Sequence, residues 1–195
     1  KSRTHVLAMI TGIPNVGKSS LINILAGRKV AKTGNEPAIT KGLQRIRIQD
    51  ELILLDTPGI LWPKIHNENS GYRLAVSGAI RDTATEVEDL AFYLTVYLLE
   101  YHPGLLVDRY NLDAIPKSDV EFLEELGARR GCLRAGGHVD LEKVSSILVN
   151  EFRSGTLGRI SLETPDMILA EEKIVKARQD IEAAKQEQKK RNKQS

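Results

Sequence analysis

The sequence predicts a mixed α/β lobe followed by a smaller helical lobe. Two apolar runs of strand length, at residues 5–11 and 52–55, each lead into a turn that contains glycine. The second half of the chain has several helix-capping patterns and few strand patterns. We therefore assign residues 1–103 to the α/β lobe and residues 104–195 to the helical lobe.

The first lobe alternates strands with a helix. The run HVLAMIT at residues 5–11 is apolar enough for a strand that is buried on both faces of a sheet. Apolar residues recur at helical spacing over residues 17–28, and the polar segment 30–42 predicts a loop. QRIRIQ at residues 44–49 alternates as a half-exposed strand should, and residues 52–55 predict a further buried strand.

Helical patterns dominate the rest of the chain. Residues 70–101 predict two helices separated near residues 81–83, where Thr83 and Glu86 have the spacing of a capping box, and residues 102–104 interrupt the pattern. Three later helices are predicted: one from Ser118, with Glu121 as its capping partner, to about Leu126; one from Leu141 to Phe152 behind Asp140; and one opened by Thr164 and Pro165. Residues 159–162 are the remaining strand candidate.

Composition excludes several classes of protein. The 195 residues are 41% hydrophobic and 28% charged, and no apolar run approaches the roughly 20 residues that a membrane-spanning helix needs. Cys132 is the single cysteine, which excludes an internal disulfide and a paired-cysteine metal site and fits a reducing cytoplasm. The net charge of +2 is too small to indicate nucleic-acid binding by the whole molecule. We expect a cytoplasmic protein without a membrane partner.

A phosphate-binding pattern lies between the first strand and the first helix. Gly12, Gly17, Lys18 and Ser19 match G-x-x-x-x-G-K-[ST]. The glycines let backbone N–H groups converge on phosphate oxygens at a helix N-terminus; Lys18 is expected to bridge the outer phosphates and Ser19 to offer its hydroxyl to Mg²⁺. The alternative is a surface turn before a basic helix start, which is disfavoured because a lysine at the positive end of a helix dipole is unfavourable without an anion.

A second motif, Asp56-Thr57-Pro58-Gly59, ends the second apolar strand. This position puts the carboxylate of Asp56 at a strand's carboxyl end beside the phosphate loop, where it could hold Mg²⁺ through a water. The N–H of Gly59 could contact a terminal phosphate. An isolated DxxG is more often a strand-ending turn, but at this distance after a phosphate loop it indicates nucleotide chemistry.

Thr40 lies between the two motifs, in the loop PAITKG. A loop threonine that reaches Mg²⁺ only when the third phosphate is present would sense a nucleoside triphosphate. The alternative is a polar residue before a strand. Lys18, Thr40 and Gly59 are the residues that we predict to support hydrolysis, with Mg²⁺ held by Ser19, Thr40 and Asp56. A P-loop kinase is disfavoured, because it would need an arginine-bearing lid and has no place for DTPG.

These motifs resemble those of the translation-factor-related GTPases. The segments DTPGILWP, RLAVSGAIRD and RGCLRAGGHVDLEKVSSILVNEFRSGTLGRISLETP further resemble the circularly permuted ribosome biogenesis GTPase A family, over nearly the whole chain. The resemblance implies a partial, circularly permuted GTPase domain that binds GTP with Mg²⁺. It also implies that Asn15 helps to hold a K⁺ ion against the phosphates. The predicted nucleotide-binding residues are Asn15, Val16, Gly17, Lys18, Ser19, Ser20, Thr40 and Gly59.

The base-recognition motif NKxD does not occur in the 195 residues. YNLD at residues 110–113 lacks the lysine, and RNKQ at residues 191–194 lacks the aspartate. In the permuted family the base-recognition motifs precede the phosphate loop, so the resemblance implies that this segment lies before Lys1.

The usual catalytic glutamine is also replaced. Ile60 and Leu61 follow DTPG, and neither can orient a water by hydrogen bonding. The family is similar in this, and its proposed catalytic histidine lies upstream. His66 is close enough in sequence to be considered, but an exposed loop histidine is the favoured interpretation. The other three histidines have no triad or metal-site spacing.

Basic residues in the second lobe suggest contact with RNA. Arg129, Arg130 and Arg134 accompany three glycines in ARRGCLRAGGH, and guanidinium groups on flexible backbone suit RNA phosphates. Helix-end charge and solvation are the alternative. Residues 185–193 add five basic side chains against one acidic, although a solvated terminal helix would look the same, and its last turns are expected to fray.

The sequence thus predicts a GTPase that acts as an assembly factor for the large ribosomal subunit, with the precursor particle and its rRNA as partners. GTP hydrolysis would time its release. One alternative is a nucleotide-regulated rRNA- or ribosome-binding module without useful turnover in this chain. An adenine-nucleotide ATPase is a weaker third possibility.

Overall fold

The computed structural model describes residues 6–31, 42–49, 52–62, 64–80 and 86–194. Within these residues three strands precede most of the helices, which matches the predicted order of an α/β part and a helical part. The elements are β1 (Val6–Ile10), α1 (Lys18–Ala26), β2 (Gln44–Gln49), β3 (Leu52–Asp56), α2 (Glu68–Val76), α3 (Val87–Tyr101), α4 (Pro103–Tyr110), α5 (Asp119–Arg129), α6 (Leu141–Arg153) and α7 (Pro165–Gln194).

The strands form a sheet in the order β1-β3-β2. Strand β1 runs parallel to β3, with Val6 opposite Leu52 and Ile10 opposite Asp56, whereas β2 pairs antiparallel with β3. The carboxyl ends of β1 and β3 therefore lie at the same edge of the sheet. This edge brings together the two loops that carry the phosphate motif and DTPG.

Helix α1 covers one face of the sheet. Ile22 is fully buried and packs with Ala31, Ile46 and Leu54 in a small core. The helix begins after Gly17 and ends at Gly27, both in the left-handed region, with φ of 86° and 61°. These glycines mark the two ends predicted from the sequence, because a left-handed backbone costs glycine little and favours it at a helix C-terminus.

Strand β1 differs from the prediction of a strand buried on both faces. Val6, Leu7 and Met9 are 62%, 57% and 61% exposed. The prediction was wrong because α1 covers only one face of the sheet, where Ala8 and Ile10 pack, and Leu7 and Met9 point to the other face, where they remain exposed. An apolar run indicates burial only where the fold supplies a covering element.

The larger core lies among the helices. Leu90, Leu94 and Leu98 of α3 are fully buried, and α3 packs mainly against α6 and α5. Two predicted caps are confirmed: Ser118 Oγ accepts from the N–H of Glu121, and the Asp140 carboxylate accepts from the N–H of Lys143. The predicted opening of the last helix is also confirmed, since Thr164 Oγ1 accepts from the N–H of Met167.

Helix α4 is an element that the sequence reasoning missed. Pro103 occupies its first turn, where a proline is tolerated because the first N–H groups of a helix have no partner within it. The interruption at residues 102–104 is therefore a sharp bend of 108° between two helices. Residues 159–162 are not a strand, so that candidate was wrong. The capping pattern at Thr83 lies outside the described residues.

The predicted lobe boundary after residue 103 stays a prediction. Packing groups α2 and α3 with the later helices, because the larger core includes Ala75 and Val76. In the described ranges no single helix is long and apolar enough to span a membrane; α3 and α4 reach that length and apolarity only as a bent pair.

Candidate nucleotide-binding site

The loop between β1 and α1 has the backbone that its glycines require. Gly12 has φ of 155° and Gly17 has φ of 86°, and Asn15 between them has φ of 57°. Asparagine is among the few residues that adopt this left-handed conformation readily. The loop therefore turns tightly and delivers the chain to the N-terminus of α1.

Lys18 closes over this loop. Its Nζ donates to the carbonyl oxygens of Ile13, at 2.6 Å, and Gly12, at 3.2 Å. Helix α1 has no acidic residue in its first turn, whereas α5 and α6 both do. A positive helix end that carries a lysine and no acid favours an anion, which supports the predicted phosphate site.

A carboxylate lies directly beneath the first turn of α1. Asp56, at the end of β3, is 1% exposed, and its Oδ2 accepts a hydrogen bond of 3.3 Å from Ser19 Oγ. The two residues are 37 positions apart in sequence, and the parallel pairing of β1 with β3 brings them together. A hydroxyl beside a carboxylate suits Mg²⁺, which prefers oxygen ligands and commonly binds through one carboxylate and several waters. Both residues fit the predicted metal role.

The DTPG turn is tied to the phosphate loop. Ile60 N–H donates to Gly12 O at 3.2 Å, and Thr57 Oγ1 donates to Ile10 O at 2.8 Å. A Cβ added to Gly59 would lie 2.5 Å from the Cα of Pro14, so a side chain at position 59 would collide with the loop backbone. This close approach explains why glycine stands at the position predicted to face a terminal phosphate.

The remaining predicted residues of the loop lie at the surface. Asn15 is exposed and its Nδ2 donates to Gly78 O at 2.7 Å, which joins the phosphate loop to the turn after α2. Val16 is 55% exposed, and Ser20 is also exposed. Thr40, predicted to sense the triphosphate, lies outside the described residues.

The segment after DTPG runs past α7. Ile60 and Trp62 are 70% and 73% exposed, and His66 is exposed as expected for a loop histidine. Trp62 and His66 line a groove of about 620 Å³ with Val175 and Lys176 of α7. His66 thus borders this groove, and its predicted solvent exposure is confirmed.

The three arginines considered for RNA contact all pair with acidic side chains. Arg129 pairs with Glu125 and Asp113, Arg130 pairs with Glu151, and Arg134 pairs with Asp140. The hydrogen bond from Arg134 lowers the pKa of Asp140. The hydrogen bond from Arg109 and the charge of Arg130 likewise lower the pKa of Glu151. The three arginine side chains remain partly exposed at the surface, at 31% to 59%.

Sequence reasoning missed the contacts that fix α2. Glu171 of α7 accepts from both terminal nitrogens of Arg73, at 2.6 and 2.8 Å, and from the amides of Asn67 and Asn69. These hydrogen bonds, led by those from Arg73, lower the pKa of Glu171 to about 2. At the other end of α2, Arg153 of α6 donates to backbone carbonyls. Partners about 80 to 100 positions apart leave no local pattern in a sequence.

Comparison with known proteins identifies the family. Residues 7–107 match the sequence model of the family described as 50S ribosome-binding GTPase. The chain belongs to this GTPase family. The matched range contains β1 from Leu7 onwards, the phosphate loop and the DTPG turn, so the family assignment rests on the same residues as the site.

Curated relatives of this chain carry a more specific name. Ribosome biogenesis GTPase A of Priestia megaterium is 48% identical over 165 residues, which is 85% of this chain and 57% of that protein. The proteins of the same name from Bacillus cereus and Thermotoga maritima are 46% and 32% identical, over 83% and 82% of this chain and 54% and 57% of theirs. The predicted resemblance to that family is confirmed. The chain spans about half the length of these relatives.

Two solved structures resemble the fold of this chain. GDP-bound TM YlqF matches with a TM-score of 0.57 at 26% identity and covers 83% of this chain and 62% of its own. GNP-bound YlqF from T. maritima matches with a TM-score of 0.53 at 28% identity, over 84% of this chain and 60% of its own. The predicted class, an α/β P-loop GTPase lobe with a helical remainder, is therefore confirmed.

Proposed function

We propose that this chain forms the phosphate-binding and Mg²⁺-binding part of a GTPase that acts in ribosome assembly. The observation that carries the proposal is the junction of the phosphate loop with DTPG at one sheet edge, where Ser19 Oγ lies 3.3 Å from the buried Asp56 carboxylate. The names of the curated relatives and of the family support GTP as the nucleotide and the ribosome as the setting.

Each residue at this edge has a role in hydrolysis. The Lys18 ammonium would exchange its carbonyl partners for phosphate oxygens and stabilise the negative charge that grows on them in the transition state. Ser19 and Asp56 would hold Mg²⁺, which would supply positive charge to offset that of the phosphates. The Gly59 N–H would orient the terminal phosphate, and Thr40 would join the metal only in the triphosphate state.

A monovalent cation is part of the proposal. The Oδ1 of Asn15 could ligate K⁺ beside the phosphates and partly replace the positive charge that an arginine finger supplies in other GTPases. We expect K⁺ to stimulate hydrolysis more than Na⁺ in a protein that also contains the base-recognition segment. Equal rates in the two salts, or an intact K⁺ response in Asn15→Ala, would exclude this role.

The names of the relatives support a proposal about the partners of this chain. We infer that the GTP-bound form docks in the cytoplasm on a precursor of the large ribosomal subunit, that the helical part contacts its rRNA, and that hydrolysis releases the factor. Arg129, Arg130 and Arg134 are the candidate RNA contacts, since their side chains remain partly exposed while paired.

A nucleotide-regulated binding module is the second candidate. Ile60 and Leu61 stand where a water-orienting glutamine would otherwise be, which favours slow turnover by this chain. Separate titrations with GTP and ATP, followed by turnover measurements with and without large-subunit precursor particles, distinguish the two. Turnover stimulated by particles supports the GTPase, whereas nucleotide-dependent particle binding with no turnover supports the module. An absence of nucleotide binding would contradict both.

A further inference from the structure

The turn after α2 connects the helical core to the phosphate loop. Arg153, at the end of α6, donates from Nε to Val76 O at 2.9 Å and from Nη2 to Ala75 O at 2.8 Å. Two carbonyls at the C-terminal end of α2 are thus held by one rigid guanidinium fork. A cation at this helix end also complements the negative end of the helix dipole.

The same turn presents a carbonyl to the phosphate loop. Gly78 has φ of 77°, a left-handed backbone that suits glycine, and its carbonyl oxygen accepts from Asn15 Nδ2 at 2.7 Å. The guanidinium of Arg153 packs beside Gly78, 3.5 Å from the place that a Cβ would occupy. Side chains of α6 and the phosphate loop therefore meet on one short turn, although they are about 140 positions apart in sequence.

This hydrogen bond fixes which way the Asn15 side chain faces. A carboxamide is planar, so donation from Nδ2 to Gly78 O directs Oδ1 away from that carbonyl. Rotating the amide by half a turn would set two oxygens against each other and would lose the hydrogen bond. The orientation of Oδ1 is thus coupled to the position of the turn, and Arg153 contacts that turn through two backbone carbonyls.

We propose that Arg153 is a positioning residue for the phosphate loop: it holds the turn after α2 so that Gly78 aligns the Asn15 carboxamide as a cation ligand. This proposal rests on the proposed role of Asn15 toward K⁺. It gives the helical part of the chain a direct mechanical link to the nucleotide site. By thermodynamic reciprocity, a partner that shifts α6 changes the phosphate loop, and an occupied phosphate loop changes affinity for that partner.

A double-mutant cycle on this chain tests the link. The variants are Asn15→Ala, Arg153→Ala and the double variant, with Arg109→Ala as the matched control because Arg109 also pairs on the helical surface but bonds Glu151. The first measurement is the NMR signal of the Asn15 side-chain amide, assigned by its loss in Asn15→Ala. The second is the affinity for a non-hydrolysable GTP analogue in K⁺ relative to Na⁺.

We expect Arg153→Ala to shift the Asn15 amide signal and to reduce the K⁺ advantage about fivefold, the scale of one hydrogen bond. The double variant should lose no more than Asn15→Ala alone, and Arg109→Ala should change neither measurement. The link would be overturned if the Asn15 amide signal does not move in Arg153→Ala. It would also be overturned if the double variant loses K⁺ advantage by the product of the two single losses.

If Arg153→Ala fails to fold, Arg153→Lys replaces it, with a smaller expected shift of the amide signal and the same criteria. A wild-type chain without any K⁺ advantage would contradict the proposed K⁺ role, and the amide signal would still decide the link.

Discussion

The sequence motif and the loop geometry both indicate that Lys18 binds a phosphate. The side chain is partly buried, and among the residues that the structure describes its ammonium group contacts loop carbonyls and no acidic side chain. It therefore contributes charge to a concave backbone site and adds little to the core. Replacing Lys18 should therefore reduce nucleotide binding without unfolding the chain.

We predict that Lys18→Ala abolishes triphosphate binding while the chain stays folded. The variant removes a charged donor whose hydrogen bonds to phosphate are among the strongest in proteins. Titration with a fluorescent GTP analogue should show at least a hundredfold loss of affinity, and the thermal midpoint should move by only a few degrees. Lys29→Ala, which removes an exposed lysine just beyond the C-terminal end of α1, is the control. Retained affinity in Lys18→Ala would contradict the assignment of this loop as the phosphate site.

At the level of elements, α2 is fixed at both ends by residues of later helices. Glu171 binds Arg73 together with the two asparagines of the α2 N-terminus, and the side chains of Glu171 and Arg73 are 14% and 7% exposed. A buried bidentate pair of this kind is costly to break, because removing one partner leaves a buried charge. The segment that follows DTPG is thereby anchored to α7.

We predict an acid-sensitive component of stability that depends on Glu171. Its pKa is about 2 in the folded chain, below the ordinary value of 4.5, so the stabilisation is complete above pH 4.5 and is lost as the pH falls toward 2. Glu171→Gln should lower the free energy of unfolding at pH 7 by on the order of 2–3 kcal/mol and should remove this component. Urea unfolding at pH 7 and pH 3 measures both effects.

Glu163→Gln provides the matched control for that experiment. Glu163 also contacts Arg73, but at 3.4 Å and with 52% of its side chain exposed. It should change stability by a few tenths of a kcal/mol, the usual scale of an exposed pair. The free energies of unfolding of wild type and Glu171→Gln should differ less at pH 3 than at pH 7. An equal difference at the two pH values would show that Glu171 is not the titrating group.

The arginines on α5 and after it carry the prediction about RNA. Replacing Arg129, Arg130 and Arg134 together by alanine should weaken binding to large-subunit precursor particles and reduce its salt dependence, because fewer phosphate counterions are released. The triple lysine variant keeps the charge, so its salt slope should remain close to that of the wild type. Arg109→Ala is the control for losing an ion pair with Glu151. An unchanged slope in the alanine variant would leave these arginines as structural ion pairs.

The sequence predicts those elements whose ends are determined by residues a few positions apart. The caps at Ser118 and Asp140 and the glycines around α1 depend on neighbours within a few residues, so their pattern determines their structure. Helix α4 was missed because Pro103 both interrupts one helix and begins the next. The partners of Asn15 and Glu171 could not be predicted, since tertiary packing alone brings them together.

At the scale of the whole molecule, several large apolar side chains of the α/β part are exposed. Three residues of β1 and Ile24 of α1, which is 75% exposed, present apolar side chains to solvent, whereas the helical core is closely packed. Sheets with parallel strands are normally covered on both faces. We expect the base-recognition segment that the resemblance implies to pack on this surface.

We predict that this chain binds GTP and ATP with similar, weak affinity. The groups that contact phosphate, Lys18, Ser19 and the loop backbone, meet the same triphosphate in both nucleotides. Guanine is recognised in GTPases by the NKxD aspartate, which accepts from the N1–H and the amino group, and adenine cannot supply that pair of donors. No such motif occurs in the 195 residues. Competition of GTP and ATP against one fluorescent nucleotide measures the ratio, and addition of the base-recognition segment should raise it by orders of magnitude. A large preference for GTP by this chain alone would mean that another residue recognises guanine, and it would contradict the division of the site into separate phosphate-binding and base-binding segments.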